Sequence, residues 1–294
     1  MASPKEFIGL VPPKDKRPRS AFFGPAGLKI LLRDNFSLTT WLCTGAVAQS
    51  GLLLLFGRIA LVPAIAVLFY RLFVTYAMTV GWMRNPYMDG VIMNKFAAQF
   101  PDTAGHYGAK PASSDVVVFL IGTRCNHPLG LFAPGFKEFG AYFPRMVQDL
   151  EAHEDEFGFL GMTSWINSSA RETQNEMLMV GYFRTVEGLH KFAHSPLHRE
   201  AWVWFNKMTK KYPHISIYHE TYHVPQAHYE AIYSNSHPGG IMSTTTSFTD
   251  EVTGKKMWAS PIVDASRGQL KTSAGRMSRS AGNEHDSYGP DPYS

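Results

Sequence analysis

Apolar residues fall along this chain in two regimes. The first is nearly continuous: residues 35–57 carry no charge, and residues 59–83 carry only Arg71, with Arg58 between the two runs. At about 1.5 Å of rise per residue, a helix of either length just crosses a hydrocarbon core. A buried arginine costs about 2.5–3.5 kcal/mol on insertion scales, and the Leu, Ile, Val and Phe around it offset that. A signal peptide would be shorter and nearer Met1. Two arrangements follow. Both runs insert as a tight hairpin with both ends on one side, or the first spans and the second lies along the interface, with Arg58, Arg71 and Arg84 reaching the headgroups. The alternative is a buried hairpin in a larger soluble core, where about fifty residues with so few charges would be unusual.

The second regime, residues 113–225, alternates strand and helix signals. Residues 116–121 form a short, wholly apolar run, the mark of a strand buried on both faces. Phe136, Phe139, Phe143, Met146, Val147 and Leu150 recur at helical spacing, with Pro144 set to kink or restart that helix. Residues 159–166 and 177–183 read as strands joined by a polar turn at 167–175. Residues 186–208 read as a helix broken at Ser195–Pro196, because a residue before proline avoids the α region. Residues 214–222 give a last strand. Strand, helix, strand, strand, helix, strand is the ferredoxin-like βαββαβ unit, so the fold class is α+β. Its strands are apolar on both faces while the helices cover only one. A partner sheet on the other face predicts a homodimer. The expected division is a basic, exposed arm over 1–34, a membrane anchor of one or two helices over 35–83, the ferredoxin-like domain over 85–242 and a largely disordered tail over 243–294, rich in Ser, Thr, Gly and Pro.

Composition adds constraints. Apolar residues at 45% and aromatics at 13% suit a globular domain. The net charge is only +4, and basic residues gather in the arm as Lys14, Lys16, Arg17, Arg19, Lys29 and Arg33. Beside an apolar run they favour an anionic membrane surface and place the arm in the cytosol. No nucleic-acid-binding motif appears. The hairpin then leaves the main domain in the cytosol, at the endoplasmic reticulum membrane, whereas a single span leaves it in the lumen. Cys43 and Cys125 lie in settings too different for a disulfide framework and read as reduced thiols.

Neither a P-loop, a dinucleotide-binding glycine fingerprint, a Gly-x-Ser-x-Gly elbow nor His-Glu-x-x-His is present, so flavin and nicotinamide enzymes of the usual kind are disfavoured. His190, His194 and His198 fall at i, i+4 and i+8, extended by Trp202; on a continuous helix they would form one stripe able to ligate a metal or haem, or to act as acid and base. The Ser195–Pro196 break separates His198 from the other two, which are otherwise plain exposed helix histidines. After the first strand comes Thr123-Arg124-Cys125-Asn126-His127-Pro128-Leu129-Gly130. There Arg124 suits a substrate carboxylate, and Asn126 or His127 a reacting oxygen, unless the loop is turn chemistry alone. Tyr218, His219 and Glu220 sit on the last strand, where neighbours point to opposite faces and cannot meet. Trp165, Trp202, Trp204, Tyr182 and Phe183 line an apolar pocket or belong to the core.

Several segments together resemble one family: Arg124-Cys125-Asn126-His127-Pro128-Leu129-Gly130, Phe132-Ala133-Pro134-Gly135-Phe136, Gly158-Phe159-Leu160-Gly161, Tyr182-Phe183-Arg184, Phe192-Ala193-His194, His198-Arg199-Glu200-Ala201-Trp202 and His219-Glu220-Thr221-Tyr222. They are similar to the fungal antibiotic-biosynthesis-type monooxygenases typified by the fumagillin-pathway enzyme, over roughly residues 85–242. The resemblance implies a dimeric α+β barrel and an oxygenase of secondary metabolism that uses O2 without metal or flavin on an apolar polyketide, polyene or terpenoid-type intermediate. It also leaves a haem-dependent enzyme such as a dehydratase, with His194 or His198 on iron, or a ligand-binding protein without catalysis. For the oxygenase, His194, His198, Trp202, Asn126 and His127 are the expected catalytic groups, and Arg124, Trp165, Tyr182, Tyr218 and His219 the expected substrate contacts.

Overall fold

The computed structural model describes residues 6–20, 25–167, 176–290 and 292–293. After Asn167, the expected polar turn lies outside the described residues. Three helices come first: α1 (Pro25–Asp34), α2 (Leu38–Phe56) and α3 (Val62–Thr79). Ser37 caps α2 by accepting from the Thr40 N–H, and Gly57 ends it at φ 63°. A short helical turn follows, and Gln49 Nε2 donates back to the Ala60 carbonyl at 3.0 Å, so the chain doubles back here. The stretch Leu38–Thr79 is long and apolar enough to cross a membrane. Both helices leave their apolar side chains exposed: α2 has no buried residue, α3 has only Ala77, and Leu54 is 88% exposed. Apolar residues on every side are the pattern of a helix that is surrounded by a core or by lipid.

Next come β1 (Ile92–Ala98), β2 (Val116–Cys125), α4 (Phe136–Gly140), α5 (Tyr142–Ala152), α6 (Glu154–Phe157), β3 (Phe159–Ile166), β4 (Met177–Phe183), α7 (Val186–Ala193), α8 (Pro196–Met208) and β5 (Ile215–Val224). Strands β3-β4-β2-β5 form one antiparallel sheet in that order, the βαββαβ arrangement the periodicity predicts. Pro144 restarts the first helix within the opening turn of α5, and Pro196 opens α8 behind its cap Ser195. Helices α5 and α7 bury Val147, Leu150, Leu189 and Phe192 on Val117, Phe159, Met179 and Phe183 of the sheet. Both cysteines are free, Cys43 exposed and Cys125 buried.

The tail corrects the expectation of disorder. It holds β6 (Ile232–Ser236), β7 (Thr246–Thr249), β8 (Lys256–Ala259), β9 (Ile262–Asp264) and α9 (Ser273–Arg276). Strand β1 pairs with β6 on one side and β9 on the other, burying Phe96, Ala97, Ala98, Met242, Ile262, Val263 and Leu270; β7 and β8 form a hairpin. Segments so short and polar cannot bury themselves, and their partner lies far upstream in sequence. The boundary expected at 242 therefore cuts through one small sheet. The arm is not free either. Gly9 bridges to Val263 and Lys14 to Trp258, and Arg17 lies between Glu151 and Glu154.

The second face of the main sheet is covered in part by this chain itself rather than wholly by a partner sheet. Phe100, Val116 and Leu160 bury with Tyr182, Val224, Tyr229 and Ile241. At Gly161 a Cβ would stand 3.2 Å from the Thr244 Cα, and the Thr245 N–H donates to the Leu160 carbonyl at 2.9 Å. Toward the other end this face stays open, with Trp165 and Tyr218 exposed.

Candidate active site

Between the helices and the sheet, the turn from α7 to α8 sets one histidine apart. The α7 carbonyls of His190, Lys191 and Phe192 accept the His194 N–H, and Ser195 then caps α8 by accepting from the His198 N–H at 3.4 Å. The histidine stripe is thus interrupted as the proline predicts. His198 is half-buried, its ring edge-on to Phe192 at 5.4 Å. From β5, His219 approaches the same side of the sheet, 5.7 Å from the Phe119 ring. His198 Nδ1 is buried and meets no hydrogen-bond partner among the described residues. Burial lowers the His198 pKa below the ordinary histidine value; the charges His194 and His219 can carry act the same way, against the pull of the Ala193 carbonyl. These effects favour the neutral imidazole, whose Nδ1 lies in an aromatic patch with Phe192, near His219 and Phe119. His194 sits at its rim, exposed, with Nδ1 2.7 Å from the His190 carbonyl. Trp202 is 61% exposed on α8.

A second group lies on the opposite face of the sheet. Gly122 has no side chain, so the Tyr218 ring crosses it; a Cβ there would stand 2.1 Å from a ring carbon. The Tyr218 hydroxyl donates to Glu176 at 2.6 Å, and Arg124 Nη1 lies 3.6 Å from the same carboxylate. The Tyr218 bond holds the Glu176 carboxyl below the ordinary glutamate range against burial, helped by Asn167 and Arg124. The same bond pushes the Tyr218 phenol up to about 12. Arg124 Nε and Nη2 are buried without a partner among the described residues. Trp165 Nε1 donates to Thr163. Tyr182 points under the covering segment near Gly240, and burial first, then Tyr233, raises its phenol to about 12.

Asn126 and His127 belong to neither group. The Asn126 N–H donates to the His214 carbonyl at 2.7 Å, and His127 Nδ1 accepts from the Leu129 N–H at 3.1 Å, with the His214 ring 4.9 Å away. This is turn chemistry. In register, His219 faces Ile121, so the loop lies about 15 Å further along β2 at the usual strand rise. Of the expected residues, the structure brings His198 and His219 together with His194 at the rim. Arg124, Tyr218 and Trp165 lie toward one end of the other face, and Tyr182 lies apart from them under the covering segment. Phe119, Phe192 and Glu176 were not among the expected site residues; strand register, once known, would have found Glu176 beside Arg124. No group of three or more His, Cys, Asp or Glu is placed to hold a metal ion among the described residues.

Residues 116–241 match the profile of the family described as monooxygenase af470-like. Monooxygenase af470 of Aspergillus fumigatus is 35% identical over 254 residues, 86% of this chain and 91% of that protein. The chain belongs to the af470-like monooxygenases. It is therefore an enzyme of the oxidoreductase class, and the matched segment holds both groups of residues described above. Solved structures share only parts of an af470-like chain. SnoaB, a cofactor-independent oxygenase from Streptomyces nogalater, is 13% identical with a TM-score of 0.26, covering 38% of this chain and 95% of its own. An aldoxime dehydratase is 16% identical with a TM-score of 0.35, covering 50% and 43%. At such scores the chemistry of this af470-like monooxygenase has to be argued from its own residues.

Proposed function

We propose that this monooxygenase oxidises an apolar, electron-rich polyketide, polyene or terpenoid-type intermediate with O2 in the cleft between α7–α8 and the sheet, with His198 as the base. The observation that carries this reading is the buried, unpartnered Nδ1 of His198. A neutral imidazole there takes a proton from an enol or phenol, and the anion left behind is far easier to oxidise. His219 and the Phe119 and Phe192 rings would orient the substrate and exclude water. One oxygen atom enters the substrate and the other leaves as water. Without a flavin or nicotinamide, the electrons for that water come from the substrate. Oxygen uptake with apolar pathway intermediates tests this. His198→Ala should lower turnover about 10²–10⁴-fold, as loss of a general base does, while His153→Ala should not. Parent-like turnover by His198→Ala would make the histidine structural.

For haem, His194 has the right bonding, Nδ1 fixed on a carbonyl and Nε2 outward, but its exposed ring lacks the apolar walls that enclose a haem. A purified chain with a Soret band would reverse that judgement.

The same reading places α2 and α3 in the endoplasmic reticulum membrane as a hairpin, with the domain in the cytosol beside the lipid that dissolves its substrate. Support comes from the arm: Gly9 and Lys14, before the apolar stretch, bridge to Val263 and Trp258 after it. The open half of the sheet, around Trp165 and Tyr218, would receive a second copy. Trp165→Glu should convert a sedimenting dimer to monomer; a parent that sediments as a monomer in mild detergent would remove the dimer.

A further inference from the structure

At the start of α2, a latch joins the apolar stretch to one end of the domain. Asn35 is buried and holds the loop after β2: its Oδ1 accepts from the Leu131 N–H at 2.8 Å and its Nδ2 donates to the Leu129 carbonyl at 3.4 Å. Gly130, at φ 54°, makes this approach possible, since a Cβ there would stand 2.1 Å from Asn35 Oδ1. Phe36 stacks on Phe132 with centroids 6.3 Å apart, and Trp41 meets Phe36 edge-on at 5.4 Å. The loop tip is apolar and largely exposed, Leu129 at 52% and Phe132, despite its stack on Phe36, at 60%. Behind it lies a basic turn. Tyr212 fills the space beside Gly135, and the His214 ring bonds the Pro134 carbonyl. Lys210 and Lys211 are exposed here and, with Lys137, pair with no carboxylate among the described residues.

We propose that the loop 127–135 and the turn 210–212 form a second membrane-contacting face, which seats the folded domain on an anionic bilayer next to the apolar helices. This rests on the reading that α2 enters the bilayer. The occupant follows from continuity and charge. Leu129 and Phe132 sit beside the first turn of α2, whose own apolar side chains are exposed, and a Trp there together with a lysine turn behind the loop is the pattern of a headgroup boundary. The latch makes the contact rigid, so it fixes the tilt of the domain as well as its distance from the lipid.

Depth-dependent quenching in vesicles tests this with the full chain. Cys43 is exposed on α2 and Cys125 is buried, so the parent chain takes an environment-sensitive dye at Cys43. In a Cys43→Ser background, Phe132→Cys and Leu129→Cys report on the loop, and Val252→Cys reports on the β7–β8 turn, where Val252 is 93% exposed. The vesicles contain phosphatidylcholine and phosphatidylserine, with nitroxide lipids labelled near the headgroup. The expected result is loss of fluorescence at 129 and 132 but not at 252, with the loss at 132 reduced by Lys210→Glu with Lys211→Glu and in phosphatidylcholine alone. Quenching at Cys43 with both loop positions as bright as 252 overturns the face and leaves the anchor standing. Loop labels shielded from aqueous iodide yet untouched by nitroxide lipid assign the tip to a second copy of the chain and also overturn it. If Cys43 is not quenched either, the membrane reading falls and the face with it.

Discussion

His198 combines two properties that usually conflict: it is withdrawn from water and it keeps a nitrogen unbonded. An unsatisfied buried polar atom costs stability, so its retention suits a group that works on a ligand. The lowered pKa has a sign that can be worked out. The native state favours neutral imidazole, so the unfolded chain binds more protons in the window between the lowered value and the ordinary value of about 6.5. This contribution to stability is therefore complete above the ordinary value and lost as pH falls through the lowered one. The same ionisation should set the acid limb of kcat/KM, and the pH profile of oxygen uptake should fall off below the ordinary histidine value. A limb at or above that value would assign the base to another group. From sequence the histidine was visible, and so was the proline that separates it from His194. Its burial was not, because that depends on the turn from α7 to α8 setting the ring against Phe192 and on β5 bringing His219 near it.

At the scale of elements, one ion cluster ties three remote pieces together. Glu154 of α6 accepts from Arg17 of the arm, from Trp258 Nε1 at 2.8 Å and from Lys256 Nζ at 3.0 Å, both on β8. Glu154 and Arg17 are nearly inaccessible, so the pair is poorly screened. Breaking a buried pair on one side costs about 3–5 kcal/mol, because the other charge stays behind. Glu154→Gln should accordingly lower the unfolding midpoint and release the arm, and limited proteolysis should then cut within residues 6–20 before it cuts the sheet. An arm as resistant as in the parent would show that Glu151 and the strand bridges suffice to hold it. None of this was legible beforehand. The strands β2 to β5 announce themselves by apolar runs and turn signals, whereas β6 to β9 are a few residues each, with Ser and Thr among them. Periodicity needs length, and such strands take their burial from β1 and the arm instead.

For the whole molecule, the bridges from Gly9 to Val263 and from Lys14 to Trp258 constrain topology more tightly than charge bias does. Segments on both sides of the apolar stretch belong to one folded body, and a folded body cannot straddle a bilayer. On the proposed membrane reading, the stretch Leu38–Thr79 then crosses an even number of times or dips and returns. Epitopes placed at the two ends should be digested together when protease is added to sealed microsomes. Protection of one end alone would mean that the arm and the tail never meet. The apolar regime and its basic flank were plain in the sequence; the closure of the arm onto the tail was not, since no local pattern records a partner some 250 residues away. That closure also dictates an order of manufacture. The arm leaves the ribosome first and the apolar helices follow, while roughly 180 residues remain before Trp258, about 10–40 s at ordinary rates of synthesis. Through that interval, on the proposed membrane reading, the helices are already held in lipid, and β1 waits with Phe96 and Ala98 lacking β9. A message cut short before β9 would yield a tethered fragment with a bare strand edge and a loose arm, a substrate for quality control rather than a smaller enzyme.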